Sequence, residues 1–253
     1  GSYAHEADFA TFLVDHRRTG GAATPDISEL EGKRFVSASE PDEVSRFSSA
    51  RLKKLTGSDT VTARALYATV RNFEPQFKLW LAANHLPKVR DDSDAMWRRV
   101  RLVPFTASFK GERADKNLAR KLLAELPGIL NWAIEGLHQY REHGLREPAE
   151  VMEATKQYQR EEDMLGQFIA SSCVVGKDAR AGVQEIYAAY LAWCETETET
   201  AVTKTAFGRQ MTARGFTRVR KPGGARAYSG IGVLAAVEGE RGSGGQVPEG
   251  YLL

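Results

Sequence analysis

The apolar residues in the N-terminal part of the chain fall into short runs typical of strands and into spaced positions typical of helices. Residues 33–39 (KRFVSAS) and 77–83 (FKLWLAA) predict two strands. The second run is nearly continuously apolar, which is expected for a strand covered on both faces. Residues 43–56 predict a helix that carries Phe47 and Leu52 on one face. Strands separated by helices indicate an α/β layered architecture.

Further short elements are predicted around these. A short helix starts at Pro25, because the fixed φ of proline suits the first helical position. Residues 61–70 are rich in Val, Thr and Tyr and predict a strand, which the polar segment 71–75 would join to residues 77–83 in a hairpin. Residues 101–105 predict one more strand.

The C-terminal part of the chain predicts mostly helices. Residues 114–143 hold two helices separated at Pro127, with a Leu, Ile and Trp stripe that indicates core packing, and 148–163 hold another. A second domain is expected from Met164, with Gly215 at the position that stops its last helix. Its three helices and its two-stranded hairpin are predicted at 164–173, 182–196, 203–214 and 216–233. Three helices followed by a basic hairpin are the pattern of a winged-helix domain.

The charge distribution points to a polyanion partner for this second domain. The formal net charge of the chain is only +2, but residues 203–228 hold seven basic residues and no acidic one. These are Lys204, Arg209, Arg214, Arg218, Arg220, Lys221 and Arg226. A local basic stripe in a near-neutral protein indicates a nucleic-acid-binding surface, and the alternative is a solvated basic face.

Composition limits the class of protein. With 42% hydrophobic and 27% charged residues, the 253-residue chain has an ordinary globular balance. No run approaches the roughly 18 apolar residues that span a bilayer, and the N-terminus lacks the layout of a secretion signal, so a cytoplasmic location is expected. Cys173 and Cys194 form no metal-ligand spacing or disulfide framework and predict reduced, partly buried thiols. Residues 235–253 have no periodicity and predict a disordered tail.

Four polar residues stand where chemistry is expected. Glu40 and Asn84 follow the two apolar strands, at the carboxyl ends where open α/β sheets bind ligands. Arg98 and Arg99 are adjacent and therefore project in different directions, and an arginine that reaches a neighbour's nucleotide stabilises charge in phosphoryl transfer. The alternatives are a surface carboxylate, an asparagine that opens a turn, and an arginine pair that bridges to the preceding acidic loop.

Four linked stretches resemble the superfamily 3 helicases of phage and plasmid primase-helicases, with poxvirus replication helicases as more distant relatives. They are GKRFVSASE, KKLTGSDTVTARALY, FEPQFKLWLAANHLP and DAMWRRVRLVPF, in the family's order over residues 31–105. Residues 150–233 resemble the family's C-terminal region in EEDMLGQFI, YAAYLAWC and TKTAFGRQMTARGF. The resemblance implies a partial P-loop ATPase sheet of the AAA+ type with a helical lid, followed by a winged-helix domain.

Residue by residue, the resemblance implies that Glu40 is the Walker B acid and Asn84 the sensor asparagine. Arg99 would be the arginine finger, with Arg98 the close alternative. ATP and Mg²⁺ would be the cofactors of the complete enzyme. The strand pair 61–83 would be the hairpin that projects into the channel of a hexameric ring. DNA contacts would come from Arg71, Lys53, Lys54, Lys204, Arg209, Arg218, Arg220, Lys221 and Arg226.

The sequence departs from the family in two places. Nothing fits GxxxxGK[ST], the loop whose backbone amides cradle phosphates, and Ser39-Glu40 stands where some members have two acids. Without the strand that feeds that loop, residues 77–83 are expected to lose a neighbour and to expose unpaired backbone groups. Either another chain supplies the missing piece, or this is a truncated gene product, or the fold has rearranged.

The expected domains are a partial ATPase core at 1–110, a helical lid at 111–163, the winged helix at 164–234 and the tail. The expected function is that of the C-terminal part of an ATP-dependent replicative DNA helicase, which is hexameric and translocates on DNA. The isolated chain is not expected to be an active ATPase. The alternatives are a non-catalytic winged-helix module that binds DNA or a replication partner, and an inert gene remnant.

Overall fold

A computed structural model describes residues 2–15, 22–39, 46–220 and 223–234. The chain divides into two compact units, Gly1–Asp163 and Met164–Leu253, which are described separately below. Three predictions lie outside the described residues: the role of Glu40, the role of Lys221 and the disorder of the tail.

The first unit is built on a three-stranded parallel sheet. Its strands are β1 (Ala4–Glu6), β2 (Phe35–Ser39) and a later strand, β5 (Lys78–Ala82), in the order β1-β2-β5. Both pairs are parallel, so β2 lies in the centre, as expected for an α/β architecture. The two strands predicted from the apolar runs are therefore confirmed.

One face of this sheet packs on the core and the other is open. Val36 and Ala38 of β2 are buried on the core side. On the opposite side the rings of Phe35 and Trp80 stack at 6.5 Å and are 39% and 55% exposed. The prediction that residues 77–83 are covered on both faces is wrong for the described chain, because β5 lies at the edge and no described element covers its Trp80 face.

The hairpin forms from different strands than predicted. β3 (Val61–Ala63) pairs antiparallel with β4 (Arg71–Phe73), so the segment predicted to be a connection is itself a strand. The buried side chains of Val61, Ala63 and Phe73 explain this choice, since they give the hairpin one apolar face. The loop between the two strands is exposed, and β5 pairs with β2 instead.

The helices of this unit are short. They are α1 (Pro25–Ser28), α2 (Ser49–Leu55) and α3 (Asp94–Trp97), together with a 3-10 turn at Phe9–Phe12. Of the helix predicted at 43–56, residues 43–45 lie outside the described residues, 46–48 are not helical, and α2 begins at Ser49. Phe47 is buried from an extended segment that bridges to Leu13, and Arg46 bridges to Lys88. The start at Pro25 is confirmed.

The core of the first unit is closed by α6 (Ala149–Glu162). Its Tyr158 ring meets Trp97 edge-on at 5.2 Å, and its hydroxyl donates to the Pro87 carbonyl. The predicted strand at 101–105 does not form, because the Leu102 amide donates to the Thr155 hydroxyl of α6 at 2.9 Å instead of to a strand.

The helices α4 (Leu118–Ala124) and α5 (Leu126–His143) carry no buried residue. Leu123 is 66% and Trp132 is 76% exposed. The two helices were predicted correctly, but the prediction that their apolar stripe belongs to the core is wrong for the described chain, since no described element packs over it.

The second unit combines three helices with an antiparallel sheet. The helices are α7 (Met164–Ser172), α8 (Val183–Thr196) and α9 (Lys204–Ala213). The strands are β6 (Cys173–Gly182), β7 (Thr217–Arg220) and β8 (Arg226–Val233), in the order β6-β8-β7. The helices, the hairpin and the stop at Gly215, which has a φ of +89°, are as predicted. β6 was missed.

An aromatic cluster forms the core of this unit. Phe168, Tyr190 and Phe207 are at most 1% exposed, with Tyr190 between the other two rings at 5.4 and 4.9 Å. Cys173 and Cys194 are both buried, more deeply than the partly buried positions predicted for them. Burial raises the pKa of the Cys173 thiol to about 11, so it stays protonated at neutral pH.

Candidate functional site

The strands that lead to Glu40 and Asn84 are neighbours in the parallel sheet. Ser39, the last residue of β2, pairs with Ala82, the last residue of β5. Glu40 follows Ser39 but lies outside the described residues, while Asn84 is exposed two positions beyond Ala82. The carboxyl ends of parallel strands are where α/β sheets bind ligands, and the register brings the ends of β2 and β5 together at one edge of the sheet.

The two adjacent arginines differ in their surroundings. Arg98 caps the C-terminal end of α3 and is exposed. Arg99 follows the helix, its guanidinium donates to the carbonyl of Ala95 on α3, and its Nη2 atom lies 3.6 Å from the position of a Cβ on Gly57. Arg99 is therefore folded against its own unit, whereas Arg98 faces solvent.

Lys53 is engaged in a polar cluster within the first unit. Its Nζ atom lies 2.6 Å from Asp91 Oδ2 and 3.0 Å from Ser93 Oγ, while Lys54 is exposed. Burial alone would raise the pKa of Asp91, but hydrogen bonds from Lys53 and Ser93 and the charge of Lys53 outweigh it and hold that pKa below 3.8. The pair ties the end of α2 to the segment before α3.

We expect Asp91→Asn to lower the free energy of unfolding by about 1–3 kcal/mol at pH 7, since it removes a charge-assisted hydrogen bond from a partly buried pair. Folding lowers the pKa of the Asp91 carboxyl, so its ionised form stabilises the folded state fully at pH values above its ordinary pKa of 3.8. This stabilisation is lost as the pH falls through the lower pKa of the folded state. Urea unfolding at pH 7 and at pH 3 measures both effects.

The difference between wild type and Asp91→Asn should therefore shrink at pH 3. Asp115→Asn is the matched control, because Asp115 contacts Lys121 at 2.7 Å in a pair that is largely exposed. If Asp115→Asn lowered the free energy of unfolding as much as Asp91→Asn does, this would contradict the structural role assigned to the Lys53–Asp91 pair.

Arg71 lies on β4, not in a connection between strands. Its side chain is 67% exposed, and its Nη1 atom lies 3.3 Å from Glu31 Oε2. An exposed ion pair of this kind contributes little to stability, so Arg71 remains accessible to another partner.

The predicted basic residues of the second unit lie on α9 and on the β7–β8 hairpin, apart from Lys221, which is outside the described residues. Lys204, Arg209, Arg218, Arg220 and Arg226 are all exposed. The Lys204 ammonium lies 5.9 Å from the centroid of the Tyr187 ring. Arg220 stands directly opposite Arg226 in the hairpin.

Two buried residues beneath this surface were missed by sequence reasoning. Tyr228 accepts a hydrogen bond from Arg218 Nε at 3.2 Å, and Gly208 lies in the middle of α9 against the same guanidinium. The available signal was the glycine itself, because a glycine inside a helix costs about 1 kcal/mol relative to alanine and calls for a packing reason.

The described residues contain neither a candidate metal site nor a candidate membrane span. Within the described ranges no group of three or more His, Cys, Asp or Glu side chains could hold a metal ion. None of the helices in those ranges combines the length and the apolar character that crossing a bilayer requires.

The chain is similar to viral proteins that are named as putative helicases. No family model matches it. A protein of Acanthamoeba polyphaga mimivirus that is named as a putative helicase is 31% identical over 188 residues, which cover 68% of this chain and 20% of that protein. Proteins with the same description from Frog virus 3 (isolate Goorha) and Invertebrate iridescent virus 3 are 30% identical over 72% and 24% identical over 73% of this chain.

The chain spans about a fifth of the length of these relatives, between 20% and 23%. The similarity supports a relation to a helicase-like family found in large DNA viruses.

Proposed function

We propose that this chain is part of an ATP-dependent DNA helicase of the superfamily 3 type, and that its second unit is a winged-helix domain that binds DNA. The observation that carries this proposal is the exposed basic surface on α9 and the β7–β8 hairpin, in a chain whose relatives are named helicases. A surface of this kind attracts the DNA backbone irrespective of sequence.

The topology of the second unit supports the winged-helix assignment. Its order is helix, strand, two helices and a hairpin, and β6 completes a three-stranded sheet with that hairpin. In helix-turn-helix proteins the second helix of the motif enters the major groove. We assign that role to α9, with Lys204 and Arg209 facing DNA, and the role of the wing to β7 and β8.

The first unit supplies part of a nucleotide site in this proposal. Asn84 would orient a water molecule, Glu40 would be the Walker B acid, and Arg98 would reach a neighbouring subunit of a hexameric ring. Arg98 is better placed than Arg99, because Arg98 is exposed whereas the Arg99 guanidinium is bound to the Ala95 carbonyl of α3. Arg71 and Lys54 are exposed and could contact DNA in the channel, whereas Lys53 is held by Asp91.

The residues present do not form a complete site for ATP and Mg²⁺. The sequence contains no GxxxxGK[ST] loop, and the described ranges contain no cluster of metal ligands. ATP hydrolysis would supply the free energy for translocation, but no step of that reaction is assigned to this chain alone. A second candidate function, which the same exposed basic surface would serve, is a non-catalytic winged-helix module that binds DNA or a replication partner.

The full-length chain is expected to bind a fluorescent 20-base-pair duplex, and its affinity should fall linearly with salt on logarithmic axes, because bound phosphates release counterions. Fluorescence anisotropy over a salt series measures both quantities. Absence of binding at about 50 mM salt would rule out the DNA-binding role.

A fluorescent ATP analogue with Mg²⁺, combined with light scattering, separates the two candidate functions. Nucleotide binding with assembly into a ring would support the helicase. DNA binding without nucleotide binding would support the non-catalytic module.

A further inference from the structure

The middle of α9 contains a gap that one arginine fills. Gly208 is buried, and a Cβ atom added to it would lie 2.1 Å from Arg218 Nη2 and 3.4 Å from Tyr228 Oη. Real Cβ contacts essentially never fall below 3.0 Å, so no other residue fits at this position while Arg218 stays where it is. The close approach accounts for a glycine inside a helix, where alanine is otherwise preferred.

Arg218, on β7, contacts two other elements, β8 and α9. Its Nε atom donates to the hydroxyl of Tyr228 at 3.2 Å, and its Cζ atom lies 5.6 Å from the centroid of that ring. The two residues are cross-strand partners in the β7–β8 hairpin, and Tyr228 is fully buried. The guanidinium is therefore fixed between the hairpin and α9, although the residue itself is exposed.

The Arg218 guanidinium forms no ion pair with a described residue. Side chains two apart on a strand share a face, so Arg218 and Arg220 lie on the same side of the hairpin. Arg220 faces Arg226 directly, and neither forms an ion pair with a described residue. Like charges opposite one another destabilise a hairpin unless an anion neutralises them.

We propose that Gly208 and Tyr228 are positioning residues that preset Arg218 as a phosphate contact before DNA arrives. The inference rests on the proposed DNA-binding function and deepens it. A long side chain that is already ordered in the free protein loses little conformational freedom on binding. Gly208 and Tyr228 thus raise the affinity for DNA by ordering Arg218, although neither residue contacts DNA itself.

The test is Gly208→Ala in the full-length chain, measured by anisotropy with a duplex. The added methyl group meets the far end of a flexible side chain, so it displaces the guanidinium and leaves the helix backbone in place. We expect affinity to fall by about threefold to tenfold, the range that one newly ordered side chain costs. The melting temperature should not fall, since alanine is the better helix former.

Gly136→Ala is the matched control. Gly136 lies in α5, and a Cβ atom there meets nothing within 4 Å. This variant should bind DNA as the wild type does. Tyr228→Phe is a second test that keeps the ring and removes the acceptor, and it should also weaken binding.

A double-mutant cycle identifies the route of the effect. Arg218→Ala should reduce the salt slope by nearly one, and adding Gly208→Ala to it should change affinity no further. Gly208→Ala alone should keep the wild-type slope, because the charge remains. The inference is overturned if Gly208→Ala binds like the wild type, or if it weakens binding equally with and without Arg218.

Failure of the proposed function gives a different result. In that case the wild-type chain itself shows no duplex binding at low salt, and the positioning role falls with it. A different outcome contradicts the positioning role alone. In that outcome the wild type binds the duplex and Arg220→Ala weakens duplex binding, but Gly208→Ala and Tyr228→Phe leave it unchanged.

Discussion

Replacing Arg218, Arg220 and Arg226 together by alanine is expected to weaken duplex binding about a hundredfold at 0.15 M salt. Each lost phosphate contact removes a factor of about 5 at that salt, because counterion release scales with about the 0.9 power of salt concentration. The slope of affinity against salt should flatten by about 2.7 for the three contacts. All duplex sequences should be affected alike, since phosphate contacts carry no sequence information.

The matched control for this variant removes three positive charges from the first unit. Arg120, Arg141 and Arg146 are exposed residues of its helical part. Their replacement by alanine lowers the formal net charge of +2 by the same amount. Anisotropy over a salt series compares the two variants. Equal losses would mean that overall charge, and not the β7–β8 hairpin, drives binding.

Phe168→Ala is expected to destabilise the second unit by about 3–5 kcal/mol, the usual cost of removing a buried aromatic side chain. Phe168 is 0% exposed and meets Tyr190 and Trp193 edge-on at 5.4 and 6.1 Å. The helices α7 and α8 both pack around this ring, so the cavity cannot close by moving a single side chain. A domain stability of about 5–15 kcal/mol leaves little margin for such a loss.

Urea unfolding combined with hydrogen exchange measured by mass spectrometry tests this expectation. Exchange should accelerate in peptides from α7, α8 and α9. Phe109→Ala makes the same chemical change at a site that is 65% exposed, and it should alter stability by less than about 0.5 kcal/mol. Unchanged exchange in α8 after Phe168→Ala would show that this ring does not organise the core.

Elements with strong local signals were predicted at nearly their observed positions. The helix start at Pro25 and the helix stop at Gly215 follow from the backbone conformations that proline and glycine favour. The strand β5 follows from a run of neighbouring apolar residues. The helices α8 and α9 follow from their own periodicity. Such signals are contained within a few residues and need no knowledge of the rest of the chain.

Strand partners were predicted less well, because pairing joins distant residues. The hairpin was expected between 61–70 and 77–83, but Phe73 pairs with Val61 and the later strand joins β2. β6 was missed since its sequence, CVVGKDARAG, does not alternate, and its pairing with β8 shifts register between Val175 and Arg180.

For the candidate sites too, the sequence predicted residue types and spacing but not contacts between distant residues. The types and spacing of the basic residues predicted a surface for a polyanion, which stays a prediction. The structure shows that five of these residues are exposed, namely Lys204, Arg209, Arg218, Arg220 and Arg226. Sequence could not show that Lys53 is paired with Asp91, or that Arg99 is bound to Ala95 while Arg98 is exposed. Each of these facts depends on which side chains meet after folding.

The sequence by itself determined the α/β class of the first unit, the helices of the second and the place of its positive charge, because these follow from periodicity and composition. Only the tertiary structure decided which strands pair, which apolar stripes stay exposed, and that Gly208 makes room for Arg218 beside Tyr228. The physical reason is that contacts between distant residues depend on packing in three dimensions, which no local pattern encodes.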